Sequence, residues 1–289
     1  MGRVVTRGLG SFRLHALDAG LQRLDGGAMF GVVPKPLWEK KMSADDRNRI
    51  RLAMRPLLVE AGSELVLIDT GAGNKEDQKF HDIYGIENDG DPTALEDGIR
   101  DAGFQPSDIT LVINTHLHFD HAGGNSVRRP DDAIEPSFPG ARYVVQQDEW
   151  EFAQGRSERV RASYLPPNFV LVHEAGLFDF VRGAAEIVPG IQVLPTPGHT
   201  PGHQSVLIES GGESALYLAD LVPTVAHLPL PWIMGYDVEP LRTLETKRAV
   251  LERATRERTL LLFEHDPNIP WGYLAPQEKK PVLVAERPD

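Results

Sequence analysis

Residues 115–124 read THLHFDHAGG, directly after the apolar run ITLVIN at 109–114. That run is short, rich in β-branched residues and bounded by polar segments, which predicts a buried strand. Side chains alternate along an extended chain, so His116 and His118 leave the strand end on one side, and a tight turn brings Asp120 and His121 to a neighbouring point. Imidazoles and a carboxylate packed this densely predict two metal sites a few ångströms apart.

Working outward, three more apolar runs end in the same way. TPGHTPGH at 196–203 presents His199 on a proline-glycine turn, SALYLAD at 214–220 ends in Asp220, and TLLLFEHD at 259–266 carries His265. Sites on open sheets gather at such strand ends, so these segments predict one site drawn from the whole chain. Zero cysteines exclude thiolate ligands and disulfides. The remaining donors, imidazole and carboxylate, suit Zn²⁺ and also Mn²⁺, Fe²⁺ or Co²⁺.

The surrounding chain reads as two strand-rich halves, each finished by helices. FRLHALDAG (12–20), GAMFGVVP (27–34), RLAMRPLLVEAG (51–62) and SELVLIDTGAG (63–73) are expected strands, the last two joined by a Gly62-Ser63 hairpin turn. After a polar stretch, Thr93 is placed to cap a short helix that Gly103 ends. RYVVQQ (142–147) reads as a strand, DEWEFAQG (148–155) as a helical turn or two, and 155–170 as an irregular excursion. Strands recur at 177–183, 185–199, 203–210 and 214–220, with Gly211-Gly212 as a hairpin turn, a helix follows from about Pro240 to Arg256, and TLLLFEH closes the sheet. This pattern predicts two face-to-face sheets with helices outside and one shared core, so residues 1–289 are expected to form a single domain.

With 41% hydrophobic and 25% charged residues the composition is that of a globular protein. No segment approaches the roughly 18 unbroken apolar residues a membrane span needs. The opening MGRVVTRGLGSFRL has no apolar stretch of secretory-signal length, which points to a cytoplasmic protein. A formal charge of −12 with no basic cluster argues against a nucleic-acid partner, which needs a basic face to displace counterions.

Taken together, these motifs resemble the metallo-β-lactamase superfamily, over about residues 10–270. The resemblance implies a four-layer αββα sandwich, with two mixed β-sheets and helices on the outer faces. It implies two divalent ions, the first held by His116, His118 and His199, the second by Asp120, His121 and His265, with Asp220 bridging and Asp69 of LIDTG supporting the site from behind. Two such ions acidify a bridging water to hydroxide, and one polarises a substrate carbonyl or phosphoryl oxygen, so hydrolysis is the expected reaction. Asp120 is the candidate catalytic residue, passing a proton to the leaving oxygen. His15, His81 and His173 are read as structural or surface residues, His203 as structural, and His227 as either pocket lining or plain loop.

Within the superfamily the text is closest to the branch of quorum-quenching N-acyl-homoserine lactonases and methyl parathion hydrolase-like enzymes, through TPGHTPGHQS, Asp220, His265-Asp266-Pro267, GGAMFGVVPKPLWEK and LPLPWIMGYDVEP. This implies a small ester or lactone substrate, with phosphotriesters, aryl esters or a glyoxalase II-like thioester as alternatives, and a homodimer. Phe30, Phe119, Trp150, Trp232, Ile233, Met234 and Trp271 are candidates to wall an acyl slot. One departure stands out. The tyrosine that lactonases of this branch place three residues after the bridging aspartate is Pro223 here, leaving Tyr217, Tyr236 or Tyr273 as substitutes.

Overall fold

Two seven-stranded mixed sheets stack face to face in the computed structural model, which describes residues 4–155, 157–275 and 282–285. The first runs from edge to edge as Val4–Leu9, Phe12–Leu17, Leu57–Ala61, Glu64–Ile68, Leu111–Ile113, Arg142–Gln146 and Phe178–Val181. Its first three pairings are antiparallel and its last three parallel. The second runs Ala185–Val188, Ile191–Pro195, Gln204–Ser210, Glu213–Tyr217, Leu260–Leu262, Trp271–Ala275 and Val282–Ala285, with only Glu213–Tyr217 and Leu260–Leu262 parallel.

Alternation along each strand decides which layer a side chain enters. Leu57, Val59, Val66, Ile68, Leu111 and Ile113 meet Val193, Val206, Ile208, Ala215, Leu260 and Leu262 between the sheets. The opposite residues, Leu58, Leu65, Leu67 and Val112, pack under Leu95 and Ile99 of the helix Ala94–Asp101. On the far side Leu207, Leu216 and Leu261 pack under Leu251 and Ala254 of the helix Pro240–Glu257. Central strands are therefore apolar on both faces, as sheets covered on both sides must be, and the expected four-layer αββα sandwich is the fold observed.

Several local expectations are corrected, among them 185–199, which is not one strand but an antiparallel pair, Ala185–Val188 and Ile191–Pro195. GAMFGVVP is not a strand: the Asp25 carboxylate accepts from Ala28 N and caps a helix at Gly26–Phe30, which Gly31 ends at φ +56°, and a second helical turn follows at Lys35–Trp38. RLAMRPLLVEAG is two strands rather than one, because Pro56 offers no N–H to a ladder. Arg49–Ala53 pairs with Leu21–Asp25 in a separate ribbon, while Leu57–Ala61 joins the first sheet. TLLLFEH does not close its sheet, since two strands lie beyond Leu260–Leu262. The polar stretch before Thr93 also contains a helix, Gln78–Tyr84. Arg156 of the irregular excursion lies outside the described residues; 157–165 is turns without strand. Among the described residues no helix is long and apolar enough to cross a membrane.

Candidate metal centre

The site stands where the two sheets' strand ends meet, and two backbone positions there are strained. Asp69, after Glu64–Ile68, and Ala219, before Asp220, have φ of +57° and +46°, a region non-glycine residues enter at a cost and usually near functional sites. At Asp69 the turn aims the carboxylate at the next strand end, where it accepts from Thr115 N (2.8 Å) and Thr115 Oγ1 (2.7 Å). The glycine pair that ends THLHFDHAGG permits close packing: a Cβ at Gly123 would strike the Ala72 carbonyl, and one at Gly124 that of Thr70. Lys75, buried behind this loop, donates to the carbonyls of Gly123 and Ser126.

All seven predicted donors come together, and all are buried. His118 Nδ1 lies 3.0 Å from His116 Nε2 and 3.1 Å from His199 Nε2, and His199 Nε2 lies 3.1 Å from Asp220 Oδ2. On the other side of Asp220, Oδ1 lies 3.2 Å from His265 Nε2 and 3.5 Å from His121 Nε2, which are themselves 3.1 Å apart, with Asp120 Oδ2 3.6 Å from His265 Nε2. Asp220 thus turns one oxygen to each cluster.

The outer nitrogens show which way the lone pairs point. His199 Nδ1 is 3.0 Å from Asp237 Oδ1, and His265 Nδ1 is 2.7 Å from the Ala53 carbonyl. His121 Nδ1 faces both Asp69 Oδ2 (3.0 Å) and Glu264 Oε2 (2.8 Å). Thr115 Oγ1 spends its proton on Asp69, so it accepts from His116 Nδ1 at 3.1 Å. With each Nδ1–H directed outward to an acceptor, four Nε2 lone pairs point inward, the arrangement a cation requires. Around a tetrahedral Zn²⁺ at about 2.0–2.1 Å, ligand atoms stand about 3.3 Å apart, close to the spacings here. Donor set and geometry therefore fit two divalent ions, and Asp220 Oδ1 and His118 Nε2 are buried without a hydrogen-bond partner.

Electrostatics divide the site. Burial and neighbouring imidazoles hold His116 and His118 well below the usual histidine range. Burial also opposes charge on His121 and His265, yet Glu264, Asp120 and Asp220 raise His121 well above that range, and Asp220 chiefly raises His265 to about 9. Burial opposes ionisation of Asp220, but His199, His121 and His265 hold it well below the carboxylate range.

Other contributors are residues that the motifs did not single out. Gln22, on the two-stranded ribbon, donates its amide to Asp120 Oδ2. Glu149, fully buried, accepts from Leu117 N (3.0 Å), Tyr164 Oη (2.7 Å) and Thr200 Oγ1 (2.6 Å), tying the THLHFDH loop to the TPGHT turn. Gln22 lies far along the chain from Asp120 and its only sequence signal is a polar side chain within an apolar stretch, whereas Asp237 and Glu264 stand inside LPLPWIMGYDVEP and TLLLFEHD, segments singled out for other residues.

Over the two clusters opens a pocket of about 180 Å³, floored by His118, Asp120, His199, Asp220 and His265 and walled by Leu24, Met29, Tyr84, Phe119, Met234 and Tyr236. Of the expected aromatic and methionine wall, Phe119 and Met234 line it. Phe30 and Trp232 sit behind, Phe30 stacked on His227, while Trp150 belongs to a separate cluster and Trp271 to the inter-sheet core. Ile233 does not line it. His203 bonds Thr196 (Nδ1 to Oγ1, 2.9 Å) and His15 bonds Thr6 and Glu60, both structural as expected; His173 stacks on Trp150. His227 is neither lining nor plain loop, but a buried strut between Thr224 Oγ1 (2.7 Å) and the Met29 carbonyl (2.9 Å).

Residues 56–269 match the metallo-beta-lactamase superfamily. The chain belongs to that superfamily. An N-acyl homoserine lactonase of Bacillus cereus is 30% identical over 229 residues, which cover 76% of this chain and 83% of the relative. A probable metal-dependent hydrolase from Staphylococcus aureus superposes with a TM-score of 0.89 at 31% identity, covering 97% of this chain and 99% of the other. The dizinc quorum-quenching lactonase AidC, solved with the product N-hexanoyl-L-homoserine, superposes with a TM-score of 0.80 at 21% identity over 99% of each chain and shares the fold. This superfamily member is a metal-dependent hydrolase, with His and Asp clusters suited to a dinuclear site.

Proposed function

We propose that this chain opens the ring of N-acyl homoserine lactones. His116, His118 and His199 would hold one divalent ion and Asp120, His121 and His265 the second, with Asp220 offering one oxygen to each cluster; imidazole and carboxylate donors suit zinc. The observation that carries the reading is the inward convergence of four Nε2 lone pairs and one Nδ1 on the two oxygens of Asp220, at the floor of a pocket with an apolar wall. Two bound ions supply an acidified water and a Lewis acid for the substrate carbonyl.

The chain's own residues do the rest. Leu24, Met29, Phe119 and Met234 offer an acyl chain an apolar surface beside the polar floor. Water oxygen bonds to the lactone carbonyl carbon as one of its protons passes to Asp120, the ring C–O bond breaks, Asp120 hands that proton to the departing alkoxide, and the second water proton leaves to solvent, giving the N-acyl homoserine carboxylate. Gln22 holds the Asp120 side chain in place. Of the tyrosines able to replace the one missing at Pro223, Tyr217 donates to the Arg55 carbonyl inside the core and Tyr273 is engaged with Arg7, whereas Tyr236 lines the pocket together with Tyr84. We assign Tyr236 to the substrate carbonyl.

Pro223 also favours a second reading, hydrolysis of phosphotriesters or aryl esters on the same floor. Side-by-side rates on a long-chain acyl-homoserine lactone, a phosphotriester and a glutathione thioester separate the readings. Fastest turnover of the lactone supports the proposal, and a phosphotriester or thioester turned over faster overturns it. The chain is further proposed to act as one domain; a homodimer, in a soluble cytoplasmic setting, is part of the same proposal.

A further inference from the structure

The helix Pro240–Glu257 buries Thr243, Lys247, Leu251 and Ala254, a stripe at helical spacing whose second member is a lysine. Lysine is almost never fully buried without a partner, and Lys247 has no exposed surface. Its hydrogen-bond partners are backbone carbonyls: the ammonium donates toward those of His227, Pro229 (2.9 Å), Leu230 (3.5 Å) and Trp232 (2.9 Å). The N–H donors of one side-chain nitrogen are thus shared among four acceptors of one loop.

What that loop carries gives the lysine its consequence. Its next residues, Met234, Gly235 and Tyr236, line the pocket, and Asp237 holds His199. Backward, His227 bonds the Met29 carbonyl at 2.9 Å and stacks on Phe30 with ring centroids 4.4 Å apart, so the same loop also sets Met29 in the wall.

We propose that Lys247 is a positioning residue for the substrate pocket: its ammonium gathers the carbonyls of 227–232 and so fixes the apolar wall of Met29, Met234 and Tyr236, against which an acyl chain packs. The identity of the ligand rests on the lactone reading above; the cradle does not. A lysine that merely stabilised the fold would, when removed, weaken every substrate alike. A lysine that sets the wall discriminates by chain length.

The test uses the metal-loaded full chain. Lys247→Met keeps the stem and removes the donor; Lys247→Ala leaves room for n-propylammonium as a probe. Amide exchange across 227–237 is expected to accelerate about tenfold, the scale of one lost buried donor, with Leu111–Ile113 and Gln204–Ser210 unchanged. KM for a decanoyl lactone is expected to rise about tenfold more than KM for a butanoyl lactone, on top of whatever change Tyr236 and Asp237 transmit to both substrates alike. n-Propylammonium is expected to restore Lys247→Ala but not Lys247→Met. Unchanged exchange in 227–237, or KM rising equally at both chain lengths, overturns the proposal. Should both variants lose the fold, Pro229→Gly loosens the same loop from outside and is expected to give the same split; an equal rise in KM at both lengths overturns it. If the wild type opens no lactone, the substrate reading fails while the exchange contrast still decides the cradle.

Discussion

Replacing Asp237 by alanine removes one carboxylate that serves two buried donors. Its Oδ1 accepts from His199 Nδ1 at 3.0 Å and its Oδ2 from Met234 N at 3.2 Å, with the residue almost wholly buried. Without it the His199 ring loses the acceptor that fixes its tautomer and aims Nε2 inward. Partners of this kind are worth about 10–100-fold in metal affinity, or about 1.4–2.7 kcal/mol. One ion, the one His199 helps hold, is expected to dissociate about 10–100-fold more readily, while the ion near His265 keeps its affinity because the His265 Nδ1 acceptor is the Ala53 backbone. Chelator competition, monitored by metal analysis at each step, reads both affinities. Asp237→Asn keeps an acceptor oxygen and is expected to fall between wild type and alanine. Two ions held by Asp237→Ala with wild-type affinity would refute the assignment of His199.

Asp120→Asn keeps shape and the bond to Gln22 but loses charge and the transferable proton; hydrolysis is expected to fall by orders of magnitude, and activity retained within a few fold would sink its role. Tyr236→Phe is expected to lower kcat/KM for lactones about tenfold with metal content intact, the loss of one hydrogen bond to the carbonyl; an unchanged value would return the question to Tyr84. His227 concerns acid stability. Burial pushes it down to about 3 in the folded chain, against about 6.5 unfolded, so the unfolded state binds the proton first. Its contribution to stability is complete above about pH 6.5, and each unit of acidification below that costs about 1.4 kcal/mol until pH approaches about 3. His227→Asn at matched metal load is expected to be less stable at neutral pH but to lose stability less steeply between about pH 6.5 and 5, which thermal melts would read; parallel slopes would contradict it.

The floor of the site was legible because its donors crowd into short motifs at strand ends, where a structural role alone seldom calls for so many imidazoles. THLHFDH, TPGH, SALYLAD and FEHD each announce themselves locally. The supports do not. Gln22 reaches Asp120 across 98 residues and Asp237 reaches His199 across 38, and one polar residue has no period to betray it. GAMF has the apolar content of a strand, but the Asp25 cap and Gly31 decide in favour of a helix. The pocket wall was legible only in part, since large aromatics serve cores as readily as slots: Trp271 fills the space between the sheets and Trp150 packs on Phe169. The helix Gln78–Tyr84, which brings Tyr84 to the pocket, lies hidden in a stretch dominated by charge. Lys247 does carry a signal, a lysine in the stripe of Thr243, Leu251 and Ala254, but only the helix face it shares with them makes that signal visible.

Titrating stripped protein with a divalent metal, while following ring opening of a long-chain N-acyl homoserine lactone in the same samples, tests the central claim most directly. Activity is expected to climb and level off at two equivalents per chain. A plateau at one equivalent, or lactone turnover that ignores the metal, would contradict a dinuclear lactonase.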